Sequence, residues 1–102
     1  MLKMKEKLID VLMVFVAWYL SMLTLIYFHE SVHSAIYKNY NCYSYFEIDP
    51  FSLSGTTYTT QDCELPSEAI FLHSLNELVG YSLATIVTII CINTLLFLVL
   101  RG

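Results

Sequence analysis

Two long runs without a charge constrain this chain more than any other feature of it. Val11 to Phe28 carries only Ser21 and Thr24 as clearly polar residues. Leu78 to Leu100 is interrupted only by Gly80, Asn93 and a few Ser and Thr. About 20 apolar residues cross a ~30 Å hydrocarbon core as a helix, so each run is long enough to span. In 102 residues, two such runs leave room for one domain and no separate soluble core. Composition agrees, with 57% hydrophobic and 14% charged residues against averages of ~45–50% and ~25% in soluble domains. The net charge of −4, with Lys3, Lys5 and Lys7 as the only basic cluster, excludes a nucleic-acid-binding face. A lysine-bearing start before an apolar run also describes a signal peptide. This run is longer than an h-region, however, and Ala17-Trp18-Tyr19 offers no small-residue cleavage site, so it reads as a retained helix.

The flanks orient the pair. Lys3, Lys5 and Lys7 precede the first run and Arg101 follows the second, which places both termini in the cytoplasm and residues 38–66 outside. From Lys38 to Glu68 one lysine faces Glu47, Asp49, Asp62, Glu64 and Glu68. Cys42 and Cys63 lie in this outward segment, where disulfides persist, and are expected to pair. Cys91, inside the second run, reads as a small apolar residue. Tyr43 to Ile48 and Thr56 to Thr60 are rich in strand-forming residues, with Asp49-Pro50 and Ser54-Gly55 as turn punctuation. The expected fold is therefore an all-α membrane protein and a single domain. It is an antiparallel two-helix transmembrane hairpin (helices 8–37 and 67–100) with a small disulfide-linked β-hairpin cap, 38–66, on the outer side.

Helical patterning runs past Phe28 through Tyr37, with a stop at Asn39 to Asn41. Pro66, Ser67 and Glu68 read as a second helix start. Both helices thus project beyond the outer leaflet, and the chemistry falls in that projection. His29-Glu30-Ser31-Val32-His33 is an HExxH motif. On a helix, positions i and i+4 share a face, so both imidazoles can hold one metal ion, with Glu30 placed to take a proton from a water the metal activates. Zinc wants a third protein ligand, and the second helix offers His73 and Glu77, again i and i+4. In an antiparallel hairpin the numbers of facing residues add to a constant. That constant is 105 for Cys42 with Cys63 and 106 for residues 31 and 75, the midpoints of the two pairs. The cysteine register thus sets His29 and His33 level with His73 and Glu77.

The motif resembles that of the HExxH zinc metallopeptidases, and Asn76-Glu77 is similar to the Asn-Glu of the gluzincin group. Its position at the end of an apolar helix is also similar to membrane-embedded site-2-type proteases. The resemblance implies His29, His33 and Glu77 as zinc ligands, Glu30 as general base and a peptide as substrate. His73 is an extra candidate ligand. Asn76 and Tyr81 are candidates for the surrounding shell, Tyr81 ordering Glu77 or donating to an oxyanion.

Two functions from different classes stay open at this stage. One is a minimal metal-dependent hydrolase. The other is a non-catalytic subunit of a larger membrane complex, in which metal and disulfide staple a small hairpin. Four protein ligands would close the site and leave no position for water. Iron, copper or manganese would also accept these ligands. Glu30 and His33 form the Glu-x-x-His unit of di-iron bundles, but the chain has no second such unit. Asn93 within the second run needs a polar partner, so a homo-oligomer or other membrane subunits are expected beside the lipid.

Overall fold

The structure, a computed structural model, describes residues 2–60 and 62–100. Arg101, the basic flank of the second run, lies outside the described residues. The order of elements is α1 (Leu2–Asn39), β1 (Ser44–Asp49), β2 (Ser54–Thr59) and α2 (Ser67–Leu100). Helix α1 continues past Phe28 and stops where the asparagines predict. Asn41 takes the left-handed conformation (φ 63°). The amide of Asn41 then donates to the carbonyl of Lys38 at 3.1 Å and that of Cys42 to the carbonyl of Tyr37 at 2.9 Å. These bonds satisfy carbonyls that a helix end leaves open. Helix α2 starts on the carbonyl of Pro66, which accepts from the amides of Ala69 and Ile70.

The helices have 38 and 34 residues, or ~57 and ~51 Å at 1.5 Å per residue, and the molecule is 62 Å long by 21 by 16 Å. Both are long and apolar enough to cross a membrane. Their shafts are apolar all round, with Leu12, Val16, Leu20, Ile86, Ile89 and Ile90 each more than half exposed. Apolar contact alone does not fix how far one such helix slides along the other, because it is non-directional. Directional bonds do. The indole N–H of Trp18 donates to Oγ1 of Thr88 at 3.0 Å, Asn76 Nδ2 donates to the carbonyl of His29 at 2.9 Å, and Cys42 and Cys63 form a disulfide. The numbers of Trp18 and Thr88 add to 106, the register expected from the sequence.

The β-hairpin is present, antiparallel, with Ser44 opposite Thr59 and Asp49 opposite Ser54. Its details differ from the expectation in two ways. First, Ser54-Gly55 belongs to β2, and the turn is Pro50–Leu53. Leu53 adopts φ 53° there, and Asp49 Oδ1 accepts from the amides of Phe51 and Ser52. Those bonds hold the Asp49 carboxyl below its ordinary range. Second, the hairpin does not sit beyond the helix ends but folds back along α1. Phe46 packs edge-on against Tyr27, centroids 5.3 Å apart, and the hydroxyl of Tyr19 donates to the carbonyl of Pro50 at 2.7 Å. Ten residues, ~15 Å of helix, separate Tyr19 from His29. Two strands alone are marginal, and burying one face on α1 supplies what water would not. The opposite face, where Tyr45 stacks on Tyr58 at 5.0 Å, stays exposed.

The buried residues (Glu30, Ser34, Ile36, Cys42, Ser44 and Ala69) belong to the disulfide-bearing end rather than to the shafts. Closing the 21-residue separation between Cys42 and Cys63 corresponds to about 3 kcal/mol of loop entropy. Reduction is therefore expected to accelerate amide hydrogen exchange in residues 44–59 while leaving the centre of α1 protected. Exchange followed by mass spectrometry checks this, and equal rates before and after reduction would contradict it.

Candidate metal centre

His29, Glu30 and His33 come from the last third of α1, and His73, Asn76 and Glu77 from the second and third turns of α2. The helical repeat puts His29 and His33 on one face, their rings perpendicular with centroids 4.6 Å apart. The register then brings Glu77 between them. Glu77 Oε1 lies 3.0 Å from His29 Nε2 and 2.6 Å from His33 Nε2, and the two Nε2 atoms are 3.2 Å apart. These three donor atoms form one group able to hold a metal ion. Ligand bonds of 2.0–2.1 Å in a tetrahedral site put donors ~3.3 Å apart, and the three donors here lie 2.6–3.2 Å apart, at hydrogen-bond distance.

His73 stands outside that trio. Its Nδ1 lies 2.6 Å from Nδ1 of His33, on the side of the ring away from Glu77. Burial, then the charge of His33, lower the His73 pKa, partly opposed by Glu77. For Glu77, burial pushes the carboxyl up, but the hydrogen bond from His33 and the charges of His29 and His33 outweigh it and hold it low. Both residues precede the charge-free run that begins at Leu78. Asn76, through its bond to the His29 carbonyl, ties the two ligand-bearing helices together. Tyr81 is largely exposed and its ring centroid lies 6.4 Å from that of His29.

Glu30 turns toward the hairpin. It is the one buried charged residue among the described residues, and its Oε2 accepts a hydrogen bond from the hydroxyl of Thr57. Glu30, His29 and Glu77 nonetheless line one open cavity of about 420 Å³, shared with Ser54 and Gly55 of β2 and with Gly80, Tyr81 and Ala84 of α2. The two inner glycines are required by close approach. A Cβ on Gly55 would lie 2.6 Å from Cγ of Glu30, and one on Gly80 would lie 2.5 Å from Nδ1 of His29. The sequence reading gave Thr57 no role and took Gly55 as turn punctuation; a glycine beside strand-forming residues is equally the mark of a close approach by another group.

No protein-family model, curated protein or solved structure matches this chain.

Gly80→Ala forces the His29 ring from its seat, an overpacking that costs about 1–3 kcal/mol. Alanine is the better helix former by about 0.5–1 kcal/mol. A net loss of stability is expected, and thermal unfolding of the purified chain reads the sign. A gain would mean that His29 moves aside freely.

Proposed function

We propose that this chain is a small integral membrane protein with a zinc-type site facing the outer side, acting as a metal-dependent peptidase. The observation that carries the reading is the convergence of His29 Nε2, His33 Nε2 and Glu77 Oε1 beside a cavity that Glu30 also lines. Three protein donors leave a fourth position, as catalytic zinc sites do. When bound, such an ion supplies Lewis acidity, which polarises a peptide carbonyl and makes a water more acidic. Glu30 takes the water proton and passes it to the leaving amine, and the hydroxyl of Thr57 keeps that carboxyl in place. Asn76 bonds the backbone of His29 and so ties the two helices together at the site.

The membrane setting is supported by the apolar shafts, exposed along helices long enough to span. Lys3, Lys5 and Lys7 set the N-terminus on the cytoplasmic side and the hairpin outside. Glu47 and Asp49 are exposed on the hairpin, and Asn93 is exposed on α2. Such groups avoid hydrocarbon, so these sides face water or a protein neighbour, either a second copy or another subunit.

A second reading, a structural subunit stapled by metal and disulfide, is favoured by the bond between Glu30 and Thr57, which also ties the hairpin to α1. The decisive variant is Glu30→Gln. The enzyme reading expects peptide hydrolysis to fall by at least the 10²-fold typical of a lost general base, with metal content unchanged. Lost assembly without any hydrolysis in the parent chain would leave the structural reading. Metal analysis of the detergent-purified chain comes first, and about one ion per chain is expected, lost in both His33→Ala and Glu77→Ala. Topology has its own check. A membrane-impermeant thiol reagent applied from outside should modify Glu68→Cys and spare Lys5→Cys, and the reverse pattern would invert the assignment.

A further inference from the structure

We propose that His73 is a positioning residue, whose Nδ1 bonds to Nδ1 of His33 and so holds the His33 ring with Nε2 aimed at Glu77 and His29. The inference rests on the reading of that trio as a metal site. The two Nδ1 atoms are 2.6 Å apart and the ring planes differ by only 23°, so the in-plane N–H of one ring can meet the in-plane lone pair of the other. A ring that gives its Nε2 lone pair to a metal carries its proton on Nδ1, and that proton needs an acceptor. For His33 the acceptor is His73. His29 differs, since its Nδ1 is buried without a hydrogen-bond partner and its ring is held by packing on Gly80.

As acceptor at Nδ1, His73 carries its own proton on Nε2, which is buried without a hydrogen-bond partner among the described residues. Its ring packs against Tyr37, one turn beyond His33, with centroids 4.6 Å apart. The tyrosine fixes the plane of His73, and His73 fixes the plane of His33. The i, i+4 spacing of His73 and Glu77 then divides the labour on α2. Glu77 meets the Nε2 side of His33, and His73 meets the Nδ1 side.

The test uses the full chain in detergent, with zinc alone as the probe and affinity read by chelator competition. His73→Phe keeps the ring and removes the acceptor, and is expected to weaken zinc binding by about 10–100-fold, the usual effect of losing such a partner. His73→Asn restores an acceptor near the Nδ1 position and should bind close to the wild-type level. Unchanged affinity in His73→Phe, or equal loss in both variants, overturns the proposal, because packing alone would then explain the residue. A second measurement needs no metal. In ¹⁵N-labelled wild-type protein a nitrogen–nitrogen coupling across the shared proton should link His33 and His73, and its absence overturns the bond directly. A wild-type chain that binds no zinc would sink the metal reading instead, and the coupling would still decide whether His73 holds His33.

Discussion

The site depends on the axial alignment of two helices that bury almost nothing along their shafts. A slide of one turn, ~5.4 Å, would separate Glu77 from both imidazoles. Leucines and isoleucines cannot resist that slide, because neighbouring registers bury similar area. Resistance comes from bonds that join one particular atom to another. These are Trp18 on Thr88, Asn76 on the His29 carbonyl and the Cys42–Cys63 bond. They are spread along the length of the pair, so a slide breaks all of them together. In the proposed membrane setting such bonds matter more, since lipid is as apolar as the helix surfaces and gives no hydrophobic drive for pairing.

The hairpin supplies the third wall, and it does so at low local stability. Two strands hold only because one face lies on α1 and a disulfide closes the base. That docking brings β2 beside Glu30, where Gly55 makes room for the side chain and Thr57 bonds its carboxyl. A Cβ at Gly55 would meet the side chains of Glu30 and Ile26, so either those side chains or the strand would have to shift. The strand's weakest residue by propensity is therefore also the one that leaves room for Glu30.

Much of the architecture was legible because it follows from spacing. Helix length, the i, i+4 pairs and the register implied by the cysteines are one-dimensional quantities, and the structure keeps the same register at Trp18 and Thr88. The direction of the hairpin was not legible, because it rests on contacts such as Tyr19 with Pro50, 31 residues apart and marked by nothing local. Gly55 was read as a turn for a related reason: the absence of a side chain signals both a turn and a close approach, and only the neighbour tells them apart. His73 and Glu77 have the same spacing as the HExxH histidines, yet they meet opposite sides of one ring, a distinction that depends on which helix face leads.

Charge gives the argument its last step. Two carboxyl groups line the cavity, and no lysine or arginine pairs with either among the described residues. Glu77 has the two imidazoles, but Glu30 is buried with a neutral hydroxyl as its side-chain partner. Burying a carboxyl group without a counter-charge is costly, and a structural role would be served as well by glutamine, which bonds a threonine hydroxyl without that cost. A cation nearby would offset that cost. The proposed site supplies one, since a divalent ion among His29, His33 and Glu77 would place positive charge at the cavity that Glu30 lines.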